Sequence, residues 1–169
     1  MRNVSPYQGD AMPGTKGFSL IEMLIVVAII LIIVAIAVPS FLHSRMAANE
    51  SAAAAALRTL NSAQISYNSA YPSVGYAGSL GALSGTSCSP PSSTGACLID
   101  TVLAGGQRSG YSFSLTNVTG TPAGSYNFIA APILQNYSGV RYFCSFADAV
   151  VRYSMTTITT CDTAVSVQQ

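Results

Sequence analysis

Four cysteines, one histidine and one carboxylate inside an apolar run are the residues of this 169-residue chain whose types and positions could do chemistry. The cysteines are Cys88, Cys97, Cys144 and Cys161; none forms a C-x-x-C pair, and His43 stands far from all of them. Zinc-type spacing is therefore missing. An even count in an exported domain favours two disulfides, and four cysteines allow three pairings. Pairing of sequence neighbours, Cys88 with Cys97 and Cys144 with Cys161, is the expectation. Four buried free thiols are the alternative, and they need a reducing compartment. His43 reads as a solvated or interfacial residue. The H-E-x-x-H, G-x-S-x-G, P-loop and C-x-x-C-H patterns are absent, and only five acids follow residue 17. Asp148 and Asp162 are too few and too far apart for an oxygen-rich calcium shell. No enzymatic activity, no metal and no other cofactor is expected.

The carboxylate is Glu22, in "KGFSLIEMLIVVAIILIIVAIAVPSF", Lys16 to Phe41. Met23 to Val38 is an unbroken run of sixteen apolar residues, and Phe18 to Val38 is 21 residues interrupted only by Ser19 and Glu22. As a helix that stretch spans about 32 Å, close to the hydrocarbon thickness of a bilayer. Its Ile and Val content alone would allow a strand, but buried strands run to about 4–8 residues. A membrane helix is expected. A charge at the centre of such a helix costs about 2.5–3.5 kcal/mol, and less near an end. Two readings of Glu22 stay open on the residues alone. Either it reaches interfacial water, or it meets a positive partner.

The seventeen residues ahead of Phe18 are polar and hold Arg2, Lys16 and one acid, Asp10. The basic bias places the N-terminus in the cytoplasm and the C-terminal part outside. A secretory signal peptide ends in small residues after its apolar core. Here no A-x-A pattern follows Val38, and the obvious small residue, Gly17, precedes the core. A cut after Gly17 would remove the leader, keep the apolar helix and expose a new α-amine on Phe18, four residues before Glu22. That amine, from the same chain or a neighbour, could neutralise the carboxylate.

"KGFSLIEMLIVVAII", Lys16 to Ile30, resembles the N-terminus of type IV pilins and of type II secretion pseudopilins. Gly17, Phe18 and Glu22 occupy that family's leader-end, first and fifth mature positions, and Pro39 falls at its kink-proline position. The resemblance covers Lys16 to Phe41. It implies cleavage between Gly17 and Phe18 by prepilin peptidase and N-methylation of Phe18. It also implies pairing of Glu22 with the Phe18 amine of an adjacent subunit, delivery through an inner-membrane assembly platform, and growth of a homopolymer. A glycine common in the family eight residues before the proline is Leu31 here. Local melting of the helix is correspondingly less expected, although Pro39 removes a backbone donor and can bend the helix. The resemblance further implies a C-terminal loop bounded by a Cys144–Cys161 disulfide.

The elements that must position these residues follow from the pattern downstream. Residues 1–17 are the leader, 18–38 the membrane or filament-core helix, and 39–71 the continuation of the helix. The continuation is rich in Ala, Leu, Arg and Glu, all good helix formers. Leu42, Met46, Ala53, Leu57, Leu60, Gln64 and Tyr67 share one face, with Arg45, Asn49, Arg58 and Ser62 on more polar ones. Pro72 predicts a stop between Asn68 and Tyr71. Residues 72–109 form a glycine- and proline-punctuated connection, with a short helix in "ACLIDTVLAGG" that turns Leu98, Val102 and Leu103 inward. Residues 110–169 change to period two. Tyr111/Phe113/Leu115, Tyr126/Phe128/Ala130, Val140/Tyr142/Cys144 and Val151/Tyr153/Met155 mark four strands. The expected fold is α+β, a long N-terminal helix kinked at Pro39 and packed on a four-stranded antiparallel sheet.

Charged residues make up 8% of the chain and the net charge is +1. Soluble domains carry about 25% charged residues, and a near-zero balance gives no electrostatic case for nucleic acid as primary partner. Arg108, Arg141 and Arg152 read as a solvated surface. The expected function is that of a structural filament subunit, held as a single-pass precursor in the cytoplasmic membrane and exported into a pilus. A pseudopilin or minor pilin of a secretion or DNA-uptake system is the alternative, and a membrane-anchored binding domain that never polymerises is the rival of another class. Adhesion, motility and secretion all remain open as the filament's task.

Overall fold

The computed structural model describes residues 17–85 and 88–167. Arg2, Asp10 and Lys16, and the leader apart from Gly17, lie outside the described residues.

A single helix, α1, runs over Leu20–Ala70, 51 residues. Pro39 lies inside it. Because Pro39 has no N–H, the carbonyl of Ala35 loses its usual partner four residues on. The helix stops where Pro72 disfavours the α conformation at Tyr71, and the Tyr71 amide makes a last 2.8 Å bond to the Tyr67 carbonyl. The chain divides into two compact units, one ending at Pro39 and the other beginning at Ser40. In the first, every described residue is exposed, and the side chains from Met23 to Val38 are apolar all round the helix. A helix with that distribution needs lipid or other helices around it.

The second unit has a core of its own. Ala53, Ala54, Ala56, Leu57, Leu60, Ala63 and Tyr67 of α1 are buried against a sheet. Two one-turn helices follow α1: α2, Leu80–Leu83, capped by the Ser79 hydroxyl, and α3, Thr101–Ala104, capped by the Asp100 carboxylate. Of the three residues expected to turn inward around α3, only Leu103 does. Leu98 and Val102 are exposed, against expectation, because one turn of helix has a single core-facing position here.

The sheet has six strands, two more than expected. They are β1 Gln107–Arg108, β2 Tyr111–Gly120, β3 Ala123–Pro132, β4 Tyr142–Phe146, β5 Arg152–Ser154 and β6 Ser166–Val167, in sequential order. All neighbours are antiparallel. The added strands β1 and β6 are two residues long, too short to show a period. Tyr111, Phe113, Tyr126, Phe128, Ala130, Phe143 and Val151 belong to the core shared with α1. Tyr142 and Cys144 lie on the other face, where Ile158 and Cys161 cover them in a second small cluster. The expected inward set for β4 was thus one residue out of register. "YFCSF" holds a phenylalanine on each face, Phe143 on one and Phe146 on the other, so alternation is a weak guide to its inward side. The choice is made by the C-terminal segment folding over the outer face.

Candidate functional site

Gly17, Phe18 and Ser19 precede the helix without regular structure, and all three are exposed. A Cβ at Gly17 would meet open space. The Gly17–Phe18 peptide bond therefore lies in accessible, non-helical backbone. The Ser19 carbonyl accepts the amides of Glu22 at 3.1 Å and Met23 at 3.3 Å, which closes the first turn. Ser19 thus stands at the helix cap and Glu22 three residues inside, the Ser-x-x-Glu spacing of a capping box. The carboxylate sits in the first turn, beside amides with no intrahelical partner and at the positive end of the helix dipole. Among the described residues the ion pairs are Arg108–Asp100, Arg141–Glu50 and Arg152–Asp148, and Glu22 is in none of them.

Within the second unit, the rest of the chain is held on its part of α1 by polar side chains whose importance the sequence did not signal. Asn49, read as marking a polar face, is half-buried and donates to the Ser138 carbonyl at 2.8 Å. Glu50 accepts the amides of Val140 and Arg141 at 2.8 and 3.2 Å, and its other oxygen lies 3.6 Å from Arg141 Nε. Buried Asn61 accepts from the Ser145 hydroxyl at 2.8 Å and the Tyr126 hydroxyl at 3.2 Å, while its amide donates to the Ala149 carbonyl. Gln64 donates to the Ala77 carbonyl and accepts the Ala77 amide, pinning the chain just after the helix. The only hint was scarcity: polar residues on the sheet-facing side of an alanine-rich helix must find partners.

Cys88 is bonded to Cys97 and Cys144 to Cys161. The second bond ties the C-terminal segment across the outer face of β4. Arg152 lies in the same region and is buried, in contrast to the solvated surface expected of it. Its guanidinium makes 3.1 and 2.7 Å bonds to the two Asp148 oxygens and stacks 4.6 Å from the Phe146 ring centroid. A planar fork on a carboxylate is what makes such burial tolerable. Arg108 is exposed and paired with Asp100, and Arg141 lies over the Tyr153 ring. The three arginines therefore do not form one basic patch.

Three tyrosines donate from the core: Tyr67 to the Ser93 carbonyl, Tyr111 to the Arg141 carbonyl and Tyr126 to Asn61. Burial pushes all three phenols above their usual range. The Glu50 charge adds to this at Tyr111, and neighbouring Tyr76 adds to it at Tyr126. Among the described residues no group of three or more His, Cys, Asp or Glu side chains is placed to hold a metal.

α1 is long and apolar enough to cross a membrane. Comparison with curated proteins found no match, and comparison with solved structures found none. Residues 12–38 match the family described as the prokaryotic N-terminal methylation motif. The matched span holds Gly17, Phe18 and Glu22 and ends at Val38, the last residue of the apolar run. The chain thus carries, at its N-terminus, the signature of type IV pilins and pseudopilins.

Proposed function

We propose that the chain is the precursor of a filament subunit that works by polymerising. Prepilin peptidase hydrolyses the Gly17–Phe18 bond, and the freed Phe18 amine is N-methylated. The matched motif is the observation that carries this reading, and the accessible backbone at Gly17 and Phe18 is consistent with it. The mature chain begins four residues before Glu22. It spans the cytoplasmic membrane once, with its C-terminal unit outside, until it is transferred to the filament.

The role of Glu22 follows from magnitudes. A lone carboxylate in the membrane costs about 2.5–3.5 kcal/mol at mid-helix. A cation 4 Å away returns about 4 kcal/mol at an effective dielectric of 20. The pairing therefore roughly cancels the penalty and favours an arrangement that supplies an amine. A neighbouring subunit's methylated Phe18 amine supplies one in each repeat of a filament. Once the apolar helices are bundled away from water and lipid, burial at about 25 cal/mol per Å² of apolar surface provides the cohesion.

Mass spectrometry of the chain isolated from its host tests the reading. The expected species begins at N-methylated Phe18, and a chain that keeps Met1 overturns it. Identification of the main protein in sheared surface filaments separates the variants of the proposal. Abundance there marks a major pilin, and a trace share there, or assembly confined to the cell envelope, marks a minor pilin or a pseudopilin.

A further inference from the structure

Two surfaces of the unit that begins at Ser40 carry complementary features. The first is the loop between β3 and β4, which keeps Ile133 49%, Leu134 59% and Tyr137 55% exposed within five residues. The loop is fastened in place. The Ile133 amide bonds to the Gly110 carbonyl at 2.9 Å, and the Ser138 hydroxyl bridges the amide and the carbonyl of Leu134. From α1, Asn49 donates to the Ser138 carbonyl at 2.8 Å. A fixed loop that keeps large apolar side chains in water is a preorganised contact surface. Arg45 is exposed beside it, in a cleft of about 140 Å³ that Tyr137 also lines. The second surface is a cleft of about 570 Å³ between the end of β5, the segment that follows it and the start of β6. Met155, Thr157, Ala164 and Val165 are among the residues that line it. Asp162 is exposed and accepts the Ala164 amide at 2.9 Å, which puts it at the rim. Clefts of about 300–1,000 Å³ are large enough to take an inserted group of atoms.

Charge links the two surfaces. Beyond Ser40, and among the described residues, the Asp, Glu and Arg side chains in no ion pair are Arg45, Arg58 and Asp162. The one unpaired acid is therefore at the cleft, and one of the two unpaired bases is beside the loop. The loop is bonded to Gly110, in the turn joining β1 to β2, whereas β5 and β6 build the cleft. None of the three exposed loop side chains lines the cleft of its own chain. We propose that the loop of one copy inserts Ile133 and Leu134 into this cleft of a second copy, with Tyr137 at the rim and Arg45 of the first copy meeting Asp162 of the second. The assignment rests on the filament reading above and names a contact between neighbouring subunits. Apolar insertion supplies the affinity, and the ion pair at the rim fixes register and orientation. Because the inserting and receiving surfaces differ, the contact is head-to-tail. Each copy uses both surfaces, so the series continues past a dimer.

All four cysteines are in disulfides, so introduced thiols report alone. Leu134→Cys and Thr157→Cys are made separately and together in the full chain. Sheared filaments are oxidised mildly and run on a gel without reductant. The expected result is a ladder of dimers, trimers and longer species from the double variant and from neither single one. Filaments of the double variant without a ladder overturn the docking and leave the filament reading standing. Dimers from Leu134→Cys alone, with no ladder from the double variant, overturn it by showing that loop meets loop. No filaments from the native chain overturn both readings. The second measurement is a charge exchange. Arg45→Glu and Asp162→Arg should each lower filament yield about fivefold, and the two together should restore it, whereas Arg58→Glu with Asp162→Arg should not. A damaged fold is not repaired by a second reversal, so restoration reports the contact, and its absence overturns the docking even where the cysteine variants do not assemble.

Discussion

The Glu50 carboxylate accepts the backbone amide of Val140 at 2.8 Å across 90 residues of chain. The same oxygen takes the Arg141 amide at 3.2 Å. One side chain on α1 therefore fixes the point where the chain turns into β4. Glu50→Ala leaves both amides without that acceptor, and a stranded buried polar group costs about 1–3 kcal/mol. Urea unfolding of the detergent-solubilised chain, followed by tyrosine near-UV circular dichroism, should show a lower midpoint. Glu50→Gln keeps one acceptor oxygen and should lose less.

Asn61 is the second fastening point, and it is more enclosed. Its carboxamide satisfies Ser145, Tyr126 and the Ala149 carbonyl together. Asn61→Leu conserves volume but strands all three, so a loss of at least about 2 kcal/mol is expected from the same unfolding measurement. Asn61→Asp keeps the acceptor and removes the donor to Ala149, and should fall between Asn61→Leu and the native chain.

Glu22→Ala removes an expensive charge from the apolar helix, so membrane insertion should be unchanged or improved. On the proposed pairing, assembly should fall steeply, because a neighbour's Phe18 amine would then have no partner. Membrane fractionation and filament yield, read side by side, check this. Filament yield equal to that of the native chain removes the role assigned to Glu22.

The Cys144–Cys161 bond encloses a segment with a sequence separation of 17. Cross-links closing loops near this length stabilise by about 3 kcal/mol in the chain-entropy picture. Cys144→Ser with Cys161→Ser should release the segment after β5 from the outer face of the sheet. Limited proteolysis should then cut first between Met155 and Ala164, while the core shared with α1 survives.

Tyr111 and Tyr126 give the fold an alkaline limit. Burial is the main cause of their raised pKa values. The folded chain therefore keeps protons that the unfolded chain gives up, and rising pH favours unfolding. The stabilisation is complete below the ordinary phenol value, near pH 10. It is lost progressively as pH climbs from there through the folded-state values. Thermal midpoints should be flat between pH 7 and 9 on this account and decline above pH 10. Tyr111→Phe and Tyr126→Phe should each make that decline shallower.

Local pattern carried much of this protein. The unbroken apolar run needs only its length to be recognised as a membrane-scale helix, and the order Gly17, Phe18, Glu22 and Pro39 needs only counting. Alternation in "GYSFSLT" and "SYNF" placed Tyr111, Phe113, Tyr126 and Phe128 on the helix-facing side because each has polar or small residues on its other face. In "YFCSF" each face holds a phenylalanine, Phe143 and Phe146, and a period of two leaves the choice to the surroundings. The covering C-terminal segment made it, and it placed Phe143 rather than Tyr142 and Cys144 against α1.

The partners of polar side chains were legible least of all. Asn49, Glu50, Asn61 and Arg152 looked like surface residues or went unremarked, since nothing near them in sequence calls for burial. Their partners lie 88 to 91 residues away for Asn49, Glu50 and the Asn61 amide. Arg152 became a buried residue only when β5 and the C-terminal segment enclosed it with Asp148. The sequence by itself determined the helix, its apolar half and the placing of the motif ahead of it, because each depends on neighbours along the chain. Tertiary structure alone decided which face of β4 turns inward, which charges are enclosed and where α1 grips the sheet. Those outcomes depend on contacts that exist only once distant segments have met.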